Sequence, residues 1–448
     1  MLREAYARLP TFAQNLAVSL QGWRIVRRRY GGNFPHIFRG YQERSAWSES
    51  EVLRFREMRR CAALKRASTA PFYSDHFKRV GANWQDFIGD HAFLELPIVG
   101  KEEVRDNIDA FVPRGRRKGD SFVQTSGTSG APLRFPVSSD FEAEQWAVWW
   151  RYRSWYGVGL QTWCGLFASA PVVHRGGRTL WRVNYPGREV RFSIYHITRA
   201  TARQYLEALA AYRISWVHAH ASALSLLARC AKEERLQGLF QPKLVTVGAS
   251  NLERWESDCI AEVFGVSPRQ HYGLAEGVAN ISECPAGSLH VDEDFSHVEF
   301  VANSSGHTEI VGTPFANTAF SLLRYRTGDL AVVDRGACQC GRWGRVVESL
   351  DGRVSDFLVL PDGRRLTALS TIFSGIHGLA AAQIYQNSNG ELIVRYVPSD
   401  GWDNESINLI SKRLNARAGF ALPVQYAEVA DVVRSSKGKV RLVISEAD

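Results

Sequence analysis

Between residues 121 and 350 short apolar runs alternate with helix-like stretches, and this alternation limits the fold more than any other feature of the chain. Trp163 to Ala168, Trp216 to Ala219, Leu244 to Val247 and Ser296 to Val301 have the length and texture of buried strands. Thr201 to Tyr212 and Ala223 to Glu234 lie among them with helical texture. The pattern predicts an α/β fold, a sheet layered by helices. Upstream, residues 50–112 read as helical: Glu51 to Lys65 carries apolar residues at 52, 53, 55, 58, 62, 63 and 64 on a charged background. The expected helical layer spans 1–112. After Asp351-Gly352-Arg353 the texture becomes hairpin-like. Leu358 to Leu360 leads into a Pro-Asp-Gly turn, and Ala382 to Gln386 and Leu392 to Val397 flank an Asn-Gly turn. The chain therefore reads as a large N-terminal domain, 1–352, with β-sheets flanked by helices, followed by a small α+β domain, 353–448.

Length agrees, since 448 residues exceed one ordinary compact domain. No run of about eighteen apolar residues is present, so no transmembrane segment is expected. Met1 to Phe34 is Arg-rich and partly amphipathic, without the continuous apolar stretch or cleavage site of a secretory leader. Seven irregularly spaced cysteines argue for reduced thiols over a disulfide framework, which fits a cytoplasmic protein. The net charge of +9 is spread along the chain, and its densest cluster, Arg27-Arg28-Arg29, is short. Attraction of anionic substrates accounts for it, and no nucleic-acid partner is expected.

Five short motifs carry chemistry. Gln124-Thr125-Ser126-Gly127-Thr128-Ser129-Gly130-Ala131-Pro132 has the glycines for tight turns and the hydroxyls and N–H groups to surround phosphate oxygens, although it is not a P-loop. His271-Tyr272-Gly273-Leu274-Ala275-Glu276 puts a ring that can stack on a base near a carboxylate that can hold Mg²⁺. In Tyr325-Arg326-Thr327-Gly328-Asp329 the carboxylate can accept hydrogen bonds from vicinal hydroxyls. Leu350-Asp351-Gly352-Arg353-Val354-Ser355-Asp356 marks the change of texture, and Arg434-Ser435-Ser436-Lys437-Gly438-Lys439 lies near the end. Singly, each also reads as a linker, a turn or a solvated tail.

In this order and at these intervals, the five motifs resemble those of the adenylate-forming superfamily of acyl-CoA synthetases, adenylation domains and luciferases. Ala70-Pro71-Phe72-Tyr73, Leu96-Pro97-Ile98-Val99-Gly100-Lys101 and Cys338-Gln339-Cys340-Gly341-Arg342 narrow the likeness to the phenylacetate-CoA ligase-like branch, including its capsule-biosynthesis relatives. The likeness covers residues 50–445. It implies that Thr125, Ser126, Gly127, Thr128, Ser129 and Gly130 enclose the ATP phosphates. Gly248, Ala249 and Ser250 would form the adenine-side loop, and Tyr272, beside Gly273, would stack on adenine. Glu276 would coordinate Mg²⁺, Asp329 would bind the ribose with help from Arg353, and Lys439 would reach the carboxylate and α-phosphate. Catalysis would rest on Lys439, Glu276 and Thr128. The small domain would be mobile, swinging about a hinge near 353–356 between adenylation and transfer to a thiol such as CoA.

The resemblance is incomplete. Ala131 stands where relatives often have Lys, Ala275 where Thr is common, and Ser355 at the hinge carboxylate. Pro361-Asp362-Gly363-Arg364-Arg365 replaces the loop that approaches CoA in the ligases proper. Cys284, His290, Cys338 and Cys340 supply three thiols and an imidazole, a candidate structural Zn²⁺ site, with His271 or Cys259 as alternatives to His290. Trp146, Trp149, Trp150, Tyr152, Trp155, Tyr156 and Phe167 point to an apolar or aromatic acid pocket, or to core packing.

The leading expectation is ATP-dependent activation of a small, aromatic-type carboxylic acid as acyl-AMP, followed by transfer to a thiol such as CoA. One alternative is an adenylating enzyme of polysaccharide or natural-product biosynthesis that passes the acyl group to an amine, sugar or carrier protein. The other is a nucleotide-binding protein without turnover.

Overall fold

The computed structural model describes every residue except 1–5, 7, 116–119, 126–132, 169–171, 174–176, 178, 249–251, 303–307, 335, 354–356, 367–368, 374–375, 400, 435–439 and 447–448. The chain forms two compact units, each assembled from separate stretches. One comprises Met1–Val26, Leu160–Gln270 and Asp351–Asp448, the other Arg27–Gly159 and His271–Leu350. As the sequence implied, the architecture is α/β, with layered sheets and helices and a C-terminal region that has its own sheet.

In the first unit Cys164–Ala168, Trp216–Ala219 and Leu244–Val247 run parallel, and Glu189–Ser193 and Trp181–Asn184 extend the sheet. The first three coincide closely with the apolar runs; Glu189–Ser193 and Trp181–Asn184 were not read from sequence. Helices Arg199–Ala211, Ala221–Glu233 and Arg254–Phe264 cover the sheet and bury Phe192, Leu209, Leu224, Val245 and Phe264 in one core. Crossover helices between parallel strands explain why Cys164–Ala168, Trp216–Ala219 and Leu244–Val247 are mostly apolar, His218 and Thr246 apart. Gly165 admits the Arg199–Ala211 helix closely: a Cβ there would lie 2.7 Å from Leu209 Cδ2.

The C-terminal part of this unit is a four-stranded sheet ordered Val424–Glu428, Leu392–Pro398, Leu379–Gln386 and Val443–Ser445. The central pair is antiparallel, and the outer strands join it in parallel. Both turns read from sequence occur, with Gly363 at φ +81° and Gly390 at φ +82°. Helix Asn404–Ala418 is capped by Asp403, whose Oδ1 accepts from the Ser406 N–H at 2.9 Å, and stops at Gly419.

The second unit holds the helices Phe34–Arg44, Glu49–Ala67, Pro71–Val80 and Ser139–Ser154, with shorter turns between them. Ser48 and Glu51 form a capping box at the second of these. An antiparallel sheet follows, in spatial order Ser296–Ala302, Thr308–Pro314, Tyr325–Val333, Val346–Arg353, Leu289–Val291 and Asn280–Glu283, ending on the pairing of His271 to Gly273. Arg151 is fully buried, bonded to Asp292 at 2.6 Å and Asp294 at 2.8 Å, and Arg44 adds a 2.6 Å contact to Asp294. Such a network fixes the seat of helix Ser139–Ser154, because removing any one member strands a buried charge.

Candidate active site

In the second unit, Tyr272 and Gly273 pair with Ile281 and Asn280 across a tight connection that carries Glu276. The connection is closed by the Gly277 N–H donating to Leu274 O at 3.1 Å. Gly277 adopts φ +67°, and a Cβ there would lie 2.4 Å from Phe141 Cε2, so both conformation and space demand glycine. Glu276 is buried, and Oε1 accepts a 3.3 Å hydrogen bond from the Tyr325 hydroxyl.

Tyr325 opens the strand that carries Asp329. That strand slips register between Glu309 and Val311, so that Thr327, Gly328 and Asp329 lie opposite Ile310 alone. Thr327 Oγ1 donates to Ile310 O at 2.7 Å and accepts from the Asp329 N–H at 3.0 Å, while the Gly328 N–H donates to Glu309 Oε1 at 3.1 Å. The bulge presents Asp329 to Tyr272, whose hydroxyl donates to Oδ2 at 2.7 Å. Of the residues the sequence singled out, Tyr272 and Asp329 are thus bonded to each other, while Glu276 is bonded to Tyr325 on the strand that carries Asp329. Tyr325 belonged to a quoted motif but carried no role of its own; its partner is distant in sequence.

Thr125 follows the strand Ser121–Gln124 and closes the neck of the Ser/Thr/Gly loop: its N–H donates to Leu133 O at 2.9 Å, and its Oγ1 accepts from the Leu133 N–H at 2.9 Å. Ser126, Gly127, Thr128, Ser129 and Gly130 lie outside the described residues.

Within the first unit, Gly248 follows Leu244–Val247 and donates its N–H to Ala219 O at 3.3 Å; Ala249 and Ser250 lie outside the described residues. Arg353 ends a strand. Ser355, Asp356 and Lys439 also fall outside the described residues, but the neck of the Lys439 segment is described. Arg434 pairs with Val440, and buried Gln383 grips both sides, donating to Val433 O at 3.1 Å and Arg441 O at 2.8 Å. Nothing local in the sequence signals that Gln383 does this.

The same unit holds two carboxyls that sequence reasoning missed. Glu253 and Glu256 form a capping box at helix Arg254–Phe264. Burial first, then the Glu256 and Asp351 charges, pushes Glu253 up to about 8. Burial raises Glu256 to about 7 against the pull of the Glu253 N–H, Arg434 and Ser225.

In the second unit the aromatic residues are largely engaged in packing. Trp150 donates to the Tyr30 hydroxyl at 3.1 Å, and Arg29 sits 4.0 Å over Trp146. Trp149 donates to Asn280 Oδ1 at 2.9 Å and remains half-buried beside Gly273. His271 lies between the rings of Trp149 and Tyr152, and burial, then Arg153, depresses its pKa to about 3, so it is neutral. In the first unit Phe167 stacks on Phe192 at 4.8 Å.

Cys284, His290, Cys338 and Cys340 place their ligand atoms within 4.8 Å of one another. Cys284 and Cys338 sulfurs are 3.7 Å apart, and Cys340 Sγ is 3.3 Å from His290 Nε2. A tetrahedron with metal–sulfur bonds of ~2.3 Å has edges of ~3.8 Å, so these separations suit one ion. The Cys340 and Arg342 N–H groups each donate at 3.4 Å to the sulfur two residues earlier, as suits thiolates. His290 is the fourth member; Cys259 belongs to the other unit and approaches Ser225 O.

A separate cavity of about 710 Å³ in the second unit is lined by Leu53, Leu94, His297, Phe300 and Arg345, among others, and does not include Tyr272, Glu276 or Asp329.

This fold superposes on 2-hydroxyisobutyryl-CoA ligase in the postadenylation state with a bound acyl-AMP, at TM-score 0.66 and 17% identity over 89% of each chain. The same ligase in its thioesterification state, with CoA, gives TM-score 0.54 over 90% of this chain and 92% of that one. The fold is that of the adenylate-forming superfamily. Residues 358–446 of this adenylate-forming fold match the CapK C-terminal domain family. Protein CapK of Staphylococcus aureus is 23% identical over 460 aligned positions, 99% of both chains. Phenylacetate-coenzyme A ligase of Thermus thermophilus is 32% identical over 112 residues, 22% of this chain and 25% of that one. These likenesses fit the phenylacetate-CoA ligase-like branch.

Proposed function

We propose that this protein is an AMP-forming acid-thiol ligase. It activates a small carboxylic acid as acyl-AMP, releasing pyrophosphate, and passes the acyl group to a thiol such as CoA. The observation that carries the reading is the joining of Tyr272 to Asp329 and of Tyr325 to buried Glu276 on one sheet of this fold.

In the adenylation step the acid's carboxylate attacks the α-phosphorus of ATP, a P–O bond forms, and the bond to pyrophosphate breaks. Two anions must be held together, so the residues' work is positioning and charge compensation. Tyr272 stacks on adenine with Gly248, Ala249 and Ser250 beside it, Asp329 and Arg353 hold the ribose, and residues 125–130 enclose the phosphates. Lys439 neutralises the carboxylate and α-phosphate. Glu276, a buried carboxylate, is the hard oxygen donor that Mg²⁺ takes, and the ion when bound offsets phosphate charge. Trp149 offers a wall for an apolar or aromatic acid. The mobile body is residues 353–448, hinged near 353–356. Cys284, His290, Cys338 and Cys340 hold a structural Zn²⁺, a role the tetrahedral spacing supports. The place of action is the cytoplasm.

A second reading of the acceptor rests on the hairpin 361–365. Arg364 is tied to Asp362 at 2.7 Å and to Ala418 O at 2.7 Å, so it does not resemble a free CoA-approaching loop. An amine, a sugar or a carrier protein is the acceptor in that case. Pyrophosphate release with Mg-ATP over a panel of aryl, amino and short aliphatic acids, with and without CoA, tests both readings. We expect release with one acid class, abolished in Lys439→Ala and Glu276→Ala. Turnover that requires CoA establishes the thiol ligase; hydroxamate trapping without a CoA effect supports the second acceptor. ATP binding without release for any acid leaves a nucleotide-binding protein and rejects the proposal.

A further inference from the structure

Helix Thr11–Tyr30 is mounted with its polarity reversed. Its inward side carries Gln14, Val18 and Gly22, all buried. Gln14 Oε1 accepts from buried Arg182 Nε at 2.5 Å, Asn15 Oδ1 accepts from the Val183 N–H at 3.0 Å, and Ser19 Oγ accepts from the Tyr185 N–H at 3.3 Å. Gly22 meets Asn184 so closely that a Cβ would lie 1.9 Å from its Oδ1. The helix is thus held to the strand Trp181–Asn184 mainly by polar groups and one missing side chain.

The large apolar residues face out. Phe12 is 75% exposed, Leu16 72%, Leu20 55% and Trp23 49%. At 100° per residue these four fall within about 80° of arc and span about 16 Å. Tyr185, 63% exposed, adjoins them through the Ser19 bond. The helix has no acidic residue, and its C-terminal half carries Arg24, Arg27, Arg28 and Arg29. Arg28 and Arg29 share Glu142; Arg24, Arg27 and Arg28 are exposed, and Arg27 lies one turn beyond Trp23 in line with the stripe.

We propose that this face docks on an anionic membrane surface, with the Phe12–Trp23 stripe in the acyl–headgroup boundary and the arginines at the phosphates. Charge decides between occupants. Anionic lipid complements a helix that offers cations and no carboxylate, whereas a second copy paired across the same face brings only more arginine. An outward stripe of Phe, Leu and Trp beside arginines is the composition of helices that lie in the interface plane. Among the described residues no helix is long and apolar enough to span a bilayer, so the attachment is peripheral.

The test is co-sedimentation of the full chain with vesicles of phosphatidylcholine alone or with about 30% phosphatidylglycerol, at low and high salt. Binding is expected on the anionic vesicles and to fall with salt. Phe12→Ser/Leu16→Ser is expected to weaken it about tenfold or more, with unchanged thermal unfolding because both side chains are exposed. Arg24→Glu/Arg27→Glu is expected to remove the preference for anionic lipid. Equal partition of the native chain and Phe12→Ser/Leu16→Ser onto anionic vesicles overturns the proposal. So does a vesicle-free dimer, seen by sedimentation velocity, that the Phe12→Ser/Leu16→Ser variant loses.

Discussion

The Tyr272 hydroxyl donates a 2.7 Å hydrogen bond to Asp329, so the ring proposed at the base and the carboxylate proposed at the ribose are set by each other. Tyr272→Phe keeps the stacking face and deletes the tether. Losing one hydrogen bond to a charged group corresponds to ~1.5–3 kcal/mol, or roughly ten- to a hundredfold weaker ATP binding. Isothermal titration calorimetry measures it. Unchanged affinity would place the nucleotide away from this pair.

Gly277→Ala is expected to destabilise the protein by ~2–3 kcal/mol, from the positive φ and the collision with Phe141. Denaturant unfolding of the single variants and the double variant with Phe141→Ala resolves the two causes. In the Phe141→Ala background the added methyl should cost only the conformational part. Full additivity would mean that Phe141 does not press on this turn.

One equivalent of zinc per chain is expected by elemental analysis. Cys338→Ser should lower the bound metal and the melting temperature together, because an ion bound only to the folded state stabilises it by mass action. A chelator should shift the native chain toward the variant's melting temperature and leave the variant unmoved. Metal-free native protein with unchanged stability would reduce the four residues to a packing cluster.

Burial raises Glu256 from 4.5 to about 7, so the folded state binds more protons than the unfolded state between those values. Stability from this group is therefore present below pH ~4.5 and is lost as pH rises through ~7, amounting to about 3 kcal/mol. Glu256→Gln holds the site neutral at every pH. Its stability relative to the native chain should rise between pH 5 and about 8, as read from paired melting curves. Parallel curves over that range would show that Glu256 ionises normally.

Much of the fold was legible because periodicity is local. Trp216–Ala219 and Leu244–Val247 were read to the residue, and the Pro-Asp-Gly and Asn-Gly turns occur where their φ demands place them. The candidate site was legible in part. Tyr272, Glu276 and Asp329 stood out because a resemblance assigned them roles, yet nothing in the sequence joined Tyr325 to Glu276 forty-nine positions away. Gln383 was invisible for the same reason: a buried amide reads as a surface residue until the two segments it holds, near Val433 and Arg441, are brought to it. Glu253 looked like an ordinary helix-start acid, since sequence shows the cap and not the burial that perturbs it.

Arg44 and Tyr73 obtain their partners, Asp294 and Leu323, only 250 residues later. On a ribosome the helices from Phe34 to Val80 thus emerge long before the sheet that buries their apolar faces, while residues 160–270 of the other unit are made in the interval. Such a nascent chain must keep a half-built core waiting through more than half of its synthesis. Its yield in a cell should depend on holding chaperones and translation speed more strongly than its finished stability would suggest.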